Sequence, residues 1–163
     1  MYLGIDGCRG GWLTAGIDDT HELSFQILSR LNKLIALTTP FLNPREVLID
    51  IPLGFPEKRP RRCDREARKF LGPKRGPSVF STPVKSAVYA KTYQEACEEN
   101  EKALGKKLSK QTWNICGKIR EANEFLHHIS SGSRRAFPSM REAHPELCFL
   151  GWCGAPCKHN KKT

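Results

Sequence analysis

The sequence lacks any run of about 18 apolar residues, and this absence argues against a membrane-spanning helix. Its first residues also lack the basic segment and apolar stretch of a secretory signal. Repeats and low-complexity tracts are missing as well, while 39% hydrophobic residues are enough for an ordinary core. Together these features predict a single cytoplasmic domain over residues 1–163.

The cysteines do not form a paired set, because there are seven of them, scattered along the chain. An odd, dispersed number is typical of reduced cytosolic thiols rather than of a disulfide framework. Cys153, Cys157 and His159 are potential zinc ligands. Their spacing differs from that of a standard zinc finger and no second pair accompanies them, so the sequence disfavours a zinc site.

Acidic residues are scarce: 17 Asp and Glu stand against 27 Lys and Arg, a formal net charge of +10. Such an excess favours a polyanionic partner, most simply DNA or RNA. The alternative is that the charge only keeps the protein in solution.

The basic residues concentrate at 58–85, where ten Lys and Arg meet only two acids. We expect a short helix that ends at Gly72, followed by an exposed loop, within an insertion at about residues 57–90. Arg62 and Arg65 are its candidate phosphate contacts. The alternative is a solvated basic arm.

The first 18 residues predict a strand, a glycine-rich turn and a second strand. Alternation puts Leu3 and Ile5 on one side of the first strand and Asp6 on the other. A carboxylate at the end of an apolar strand is costly unless a metal or substrate group occupies it. Alternatively, Asp6 accepts hydrogen bonds from amides of the turn. Arg9, within this turn, is a further candidate phosphate contact.

Leu23, Phe25 and Ile27 alternate with polar residues, which predicts a half-buried third strand completing an antiparallel meander. A helix should follow and end at Pro40. The stretch 46–51 is different, because three consecutive apolar residues, Val47, Leu48 and Ile49, indicate a strand buried on both faces. A crossover helix would make this strand parallel to its neighbour.

Asp50 ends that fourth strand as Asp6 ends the first. If the two strands are neighbours, both acids lie at carboxyl ends about 4.8 Å apart, close enough to share one cation. The alternative is that Asp50 only caps the strand end.

The second half of the sequence predicts two helices and a short strand. Thr92 begins a capping box for the first helix, and Ser109 caps a longer one with an apolar stripe. Lys118 and Arg120 lie off this stripe and are candidate substrate contacts. Alternation further suggests that the side chains of Glu142 and His144 share one side of a short strand.

Six segments support a family resemblance: GIDGCRGGW (4–12), IDIPLGFP (49–56), CDREARKFLG (63–72), SVFSTP (78–83), LSKQTWNICGKIREAN (108–123) and REAHPELCF (141–149). In this order they resemble an uncharacterised family, a domain of unknown function predicted to be a ribonuclease H-like nuclease. The resemblance covers nearly the whole chain. It implies an α/β fold: a mixed sheet with a three-stranded antiparallel meander, then a parallel strand beside the first, and flanking helices.

In relatives of that fold, acids on the first and fourth strands hold divalent metals, which implies Asp6 and Asp50. A later element usually supplies a further acid, for which Glu146 is the first choice and Glu142 the reserve. The resemblance also implies a further strand and an acid-bearing helix beyond residues 161–163. This sequence has neither, so a C-terminally truncated form with weakened metal binding is expected.

The resemblance implies phosphodiester hydrolysis with Mg²⁺ or Mn²⁺. Asp6 would bridge two ions, Asp50 would hold one of them, and Glu146 would complete the ligand set. His144 would move a proton. The alternatives are a helix first-turn position for Glu146 and an ordinary packed histidine at 144.

Two other functions remain open. One is a non-catalytic nucleic-acid-binding module with an incomplete metal site, favoured by the missing C-terminal elements. The other is a nucleotide-binding phosphotransferase related to sugar kinases and actin. That function requires a second such domain, for which the chain is too short, so it ranks last.

Overall fold

The computed structural model, which describes residues 1–37, 44–132 and 137–155, divides into two units. The sheet unit comprises the described residues of 1–53 and 118–143, and the helical unit those of 54–117 and 144–163. The strands are β1 (Tyr2–Cys8), β2 (Gly11–Ile17), β3 (Leu23–Leu28), β4 (Glu46–Ile49) and β5 (Met140–Glu142). The helices are α1 (Leu34–Leu37), α2 (Arg62–Arg75), α3 (Lys85–Tyr89), α4 (Tyr93–Leu104), α5 (Lys110–Gly132) and α6 (Pro145–Cys153), with short 3-10 turns at Leu31–Lys33 and Gly76–Ser78.

The five strands form one mixed sheet in the order β3-β2-β1-β4-β5. The first three make an antiparallel meander, β4 runs parallel to β1, and β5 runs parallel to β4. The predicted meander and the predicted parallel fourth strand are both confirmed. The predicted helix end at Pro40 lies outside the described residues. The described residues therefore form a mixed α/β fold with an open five-stranded sheet and six helices.

One face of the sheet is buried. Leu3, Ile5, Val47 and Ile49 are at most 6% exposed, and the indole of Trp12 is fully buried. The predicted alternation along β1 is confirmed, because Leu3 and Ile5 are inside whereas Asp6 is exposed. Burial of these side chains, each contributing about 1.5–3 kcal/mol, fixes the register of β1 against its neighbours.

The opposite face is apolar but exposed, and we call it the outer face (Leu13, Ile17, Leu23, Phe25, Ile27 and Leu48). Strand β3 has the predicted alternation, but the expectation that its apolar side is buried is wrong. Phe25, for example, is 66% exposed. The register explains this, because Phe25 pairs with Ala15 while the buried Thr14 pairs with Gln26.

Strand β4 was expected to be buried on both faces, and this is also wrong. Val47 and Ile49 are fully buried, but Leu48 is 38% exposed because it belongs to the outer face. A run of apolar residues therefore does not distinguish a strand that is buried on both faces from a strand with one exposed face.

In the helical unit, the helix predicted near Gly72 continues to Arg75, with a break at Gly72, whose φ is 68°. The loop that follows was expected to be exposed, and this is confirmed only in part: Pro77 and Ser78 are exposed, whereas Val79, Thr82 and Val84 are at most 8% exposed. Both predicted caps are confirmed, since Thr92 and Ser109 accept hydrogen bonds from amides three residues on.

The short strand β5 ends at Glu142, and His144 is already the N-cap of α6. The expectation that Glu142 and His144 lie on one side of a strand is therefore wrong. Pro145 explains the early end, because its fixed φ suits the first position of a helix. None of the helices in the described ranges has both the length and the apolarity needed to cross a bilayer.

Gly11 closes the turn between β1 and β2. Its φ is +134°, and a Cβ placed there would lie 2.0 Å from the carbonyl oxygen of Leu28. A Cβ on the neighbouring Gly10 would meet only the Ile27 side chain, at 3.5 Å. The hairpin that presents Asp6 therefore requires glycine at position 11 and tolerates alanine at position 10.

We expect Gly11→Ala to lower the free energy of unfolding by about 3 kcal/mol or more, because backbone strain and a backbone clash combine. Gly10→Ala is the matched control and should change it by less than about 1 kcal/mol. Urea denaturation followed by circular dichroism measures both. Equal effects of the two substitutions would contradict this account of the turn.

Candidate functional site

Asp6 lies within β1, two residues before its end at Cys8, so the prediction that Asp6 ends the first strand is wrong. Asp50 directly follows Ile49, the last residue of the adjacent parallel strand β4. Ile5 pairs with Ile49, and the amide of Asp50 donates to the carbonyl of Ile5 at 2.9 Å. Each aspartate follows directly on one of these paired isoleucines. The side chain of Asp6 is exposed and that of Asp50 is half-buried. The juxtaposition inferred from two separate strand ends is therefore present in the backbone of the sheet unit.

Lys118 supports the turn that follows Asp6. Its Nζ donates to the carbonyl oxygen of Gly11 at 2.5 Å and lies 4.4 Å from the centre of the Trp12 ring. Its aliphatic stem approaches Gly7, where a Cβ would lie 3.6 Å from the lysine Cγ. Lys118 was predicted to contact substrate. The contacts that it makes here fix the glycine turn against α5, and the substrate contact stays a prediction.

Glu142, the reserve ligand, stands in register with Ile49 at the end of β5. Its Oε2 accepts a hydrogen bond from the amide of Leu53 at 2.9 Å. By alternation it belongs to the side of the sheet that Ile49 faces, whereas Asp6 belongs to the outer face. Glu142 thus holds the segment that follows Asp50.

Glu146 and His144 belong to the helical unit. Glu146 sits in the first turn of α6, is 7% exposed, and forms an ion pair with Arg75 at 3.4 Å. Its other oxygen, Oε2, is buried without a hydrogen-bond partner among the described residues. The Nε2 of His144 lies 3.4 Å from the carbonyl oxygen of Ser78. The carboxylate of Glu146 thus links α6 to α2.

The predicted phosphate contacts are divided between the two units. Arg9 is exposed in the turn between β1 and β2, and Arg120 is half-buried on α5. Arg62 and Arg65 are exposed on α2, in the helical unit. Exposed guanidinium groups suit phosphate contacts, but their position alone does not identify a ligand.

Within the sheet unit, the candidate ligand set consists of Asp6 and Asp50. Across the described ranges, no group of three or more His, Cys, Asp and Glu side chains is arranged to hold a metal ion. Mg²⁺ needs only one or two carboxylates, because it keeps several waters and takes oxygens from substrate phosphates. The aspartate pair therefore fits Mg²⁺ better than a metal that requires a full set of protein ligands. Of the potential zinc ligands, Cys157 and His159 lie outside the described residues.

Asp64, a buried acid within the basic segment, was not predicted to have a role. Asp64 is 4% exposed, forms an ion pair with Arg61, and accepts from the amide of Thr82 at 3.3 Å. The one available signal was an acid in a run of bases, three residues after Arg61. The contact with Thr82 has no sequence signal.

We expect Lys118→Met to lower the free energy of unfolding by about 1–2 kcal/mol, because it keeps the apolar stem but removes the charged donor to Gly11. Lys102→Met, on an exposed position of α4, is the control and should be neutral within about 0.5 kcal/mol. Thermal and urea unfolding measure both. A neutral Lys118→Met would show that the contact does not stabilise the turn.

Comparison with known sequences identifies one family. Its description reads protein of unknown function (DUF429), and its model matches residues 4–163. Neither the curated proteins nor the solved structures compared with the chain gave a match. Because the match spans nearly all residues, the chain belongs to the DUF429 family of proteins of unknown function.

Proposed function

We propose that this protein is a divalent-metal-dependent nuclease with a ribonuclease H-like fold that hydrolyses phosphodiester bonds of DNA or RNA. The observation that carries the proposal is the parallel pairing of β1 with β4, which sets Asp6 beside Asp50. The strand order, with a meander and a fourth strand beside the first, agrees with that fold. The six described cysteines are free thiols, which agrees with a reducing, cytoplasmic location.

The cation proposed for the aspartate pair is Mg²⁺ or Mn²⁺. Two carboxylates on neighbouring strands repel each other, and a shared cation relieves this repulsion. When bound, such an ion makes a coordinated water more acidic and balances charge on phosphate oxygens. Asp6, exposed beside the glycine turn, would face the substrate, and Asp50 would hold the ion from the sheet.

The basic residues would bind the nucleic acid. Arg9 is exposed three residues after Asp6 and would contact a phosphate near the metal. Arg62 and Arg65 would contact further phosphates from α2, and each such contact would make binding weaker at higher salt. Arg120 and His144 remain predicted contributors, the latter as a proton donor or acceptor.

A second candidate is a nucleic-acid-binding module without catalytic activity. It is favoured by the lack of a three-ligand metal group in the described residues. Such a module would bind nucleic acid through the basic helix α2, and this binding would not depend on a divalent ion.

We expect labelled single- or double-stranded DNA or RNA to be cleaved with Mn²⁺. Asp6→Asn and Asp50→Asn should each reduce the rate by about 100-fold or more, because each removes a metal ligand. Asp19→Asn removes the same charge from the exposed loop before β3 and is the control. Binding without cleavage by the wild type would favour the second candidate.

Metal binding has its own readout in thermal unfolding. Mn²⁺ should raise the Tm of the wild type, because a ligand that binds only the folded state stabilises it. The increase should disappear in Asp6→Asn, whose Tm without metal should be equal or higher since like-charge repulsion is removed. An undiminished Mn²⁺ effect in both aspartate variants would place the ion elsewhere.

Glu146 was predicted to be the third metal ligand, and its ion pair with Arg75 offers a competing structural role. We expect Glu146→Gln to lower the free energy of unfolding by about 3 kcal/mol, because it removes a charged partner of the largely buried Arg75 guanidinium. The Mn²⁺-induced rise in Tm should persist. If Glu146→Gln abolished the Mn²⁺-induced rise in Tm while Arg75→Met retained it, Glu146 would again be the third metal ligand.

A further inference from the structure

A cavity of about 490 Å³ lies within the helical unit. Small-molecule pockets commonly measure about 300–1,000 Å³. The walls come from α2, the loop after the Gly76–Ser78 turn, the end of α4 and the start of α5. None of the acids proposed for the metal lines it. Ligand binding in this cavity can therefore be tested independently of the nuclease proposal.

The lining of the cavity is positively charged. Arg68, Lys106 and Lys107 contribute side chains, and none of the residues that line it is acidic. Lys107 lies 3.7 Å from Glu101, but both side chains are more than half exposed, so this pair offsets little of the charge. Three cations gathered around one space favour an anion within it.

Arg68 is held in a fixed orientation. Its Nε and Nη2 donate to the carbonyl oxygen of Val79 at 3.2 and 2.8 Å, and Nη2 also donates to the Ser81 hydroxyl at 3.0 Å. Its Nη1 makes no hydrogen bond to any residue in the described ranges. A guanidinium fixed on one side, with donors left on another, is suited to binding a phosphate.

Helix α5, 23 residues long, begins at the wall of the cavity. Ser109 caps it by accepting from the amide of Thr112, while the amides of Lys110 and Gln111 have no acceptor within the helix. The start of a long helix attracts phosphate through these amides and through its dipole.

A buried hydroxyl gives independent support. Thr82 lines the cavity and is 2% exposed, and its Oγ1 has no hydrogen-bond partner in the described part of the chain. Buried hydroxyl groups are normally paired, so an unpaired one in the wall favours a cavity that is occupied over one that is empty.

Part of the lining is apolar. Phe80, Leu104 and Leu108 contribute side chains, and the Phe80 ring is 41% exposed. A ligand that matches both parts has a phosphate at one end and a flat ring at the other. We propose that the cavity binds a nucleoside monophosphate, with its phosphate held by Arg68, Lys106 and the first turn of α5 and its base against Phe80.

Isothermal titration calorimetry of the full chain tests this, at low ionic strength in a phosphate-free buffer that contains a metal chelator. The ligands are AMP, GMP, CMP, UMP, adenosine and inorganic phosphate. We expect at least one monophosphate to bind with micromolar affinity, and adenosine and inorganic phosphate to bind at least about tenfold more weakly. Adenosine binding as tightly as AMP, phosphate binding as tightly as the best monophosphate, or no binding of any monophosphate would overturn the proposal.

Variants locate the site. Lys106 is exposed, so Lys106→Gln should fold normally, and it should weaken monophosphate binding by about tenfold. Lys102→Gln, an exposed lysine outside the cavity, should bind as the wild type does. Asp6→Asn should also bind normally, whether or not it abolishes cleavage. Unchanged binding in Lys106→Gln, or lost binding in Asp6→Asn, would overturn the assignment to this cavity.

Discussion

The hydrogen bond from the amide of Asp50 to the carbonyl of Ile5, at 2.9 Å, is the last rung of the parallel ladder between β1 and β4. A parallel ladder aligns strand directions, so both strands deliver the residues after Ile5 and Ile49 to the same edge. The proposed metal site depends on this rung. A slip of β4 by one residue would place a carboxylate on the buried face, where a charge is costly.

The surroundings of Asp6 explain how an exposed carboxylate can keep a defined position. Gly11 allows the hairpin to close against Leu28, and Lys118 holds the carbonyl of Gly11 from α5. Beneath them the Trp12 ring is fully buried. The glycines at this turn are therefore explained by backbone geometry and do not by themselves indicate phosphate binding. The neighbouring Asp50, rather than the glycine-rich turn, favours a ligand at Asp6.

The order of the sheet could be predicted from the sequence as far as the fourth strand, because short turns and alternating residues constrain neighbouring strands strongly. Caps at Thr92 and Ser109 were equally predictable, since they depend on residues three positions apart. Burial was not. Leu23, Phe25 and Ile27 have the pattern of a core strand, yet the register of β3 puts them on the outer face. Periodicity indicates that one side is apolar but not whether anything covers it.

The contacts that decide individual roles were beyond the sequence, because they join residues far apart in the chain. Arg75 and Glu146 are 71 positions apart, and Lys118 and Gly11 are 107 positions apart. Neither contact produces a periodic pattern in the sequence. The cavity was missed for a related reason: Arg68 belongs to the basic segment noted in the sequence, whereas Lys106 lies in a loop that the analysis did not single out. Counting charges along the sequence identified the basic segment, but it could not identify the cavity that Arg68 and Lys106 line.

Buried and exposed acids have different surroundings in this structure, and the difference is relevant to both proposals. Asp64 and Glu146, which are buried, each have an arginine partner. Asp6 has no ion pair with any residue in the described ranges, and the cavity beside Arg68 gathers three cations with no acid in its lining. The buried acids of the helical unit are thus neutralised by arginine, whereas the exposed carboxylate of Asp6 and the cations beside Arg68 are suited to counter-charges from outside, a cation and an anion respectively.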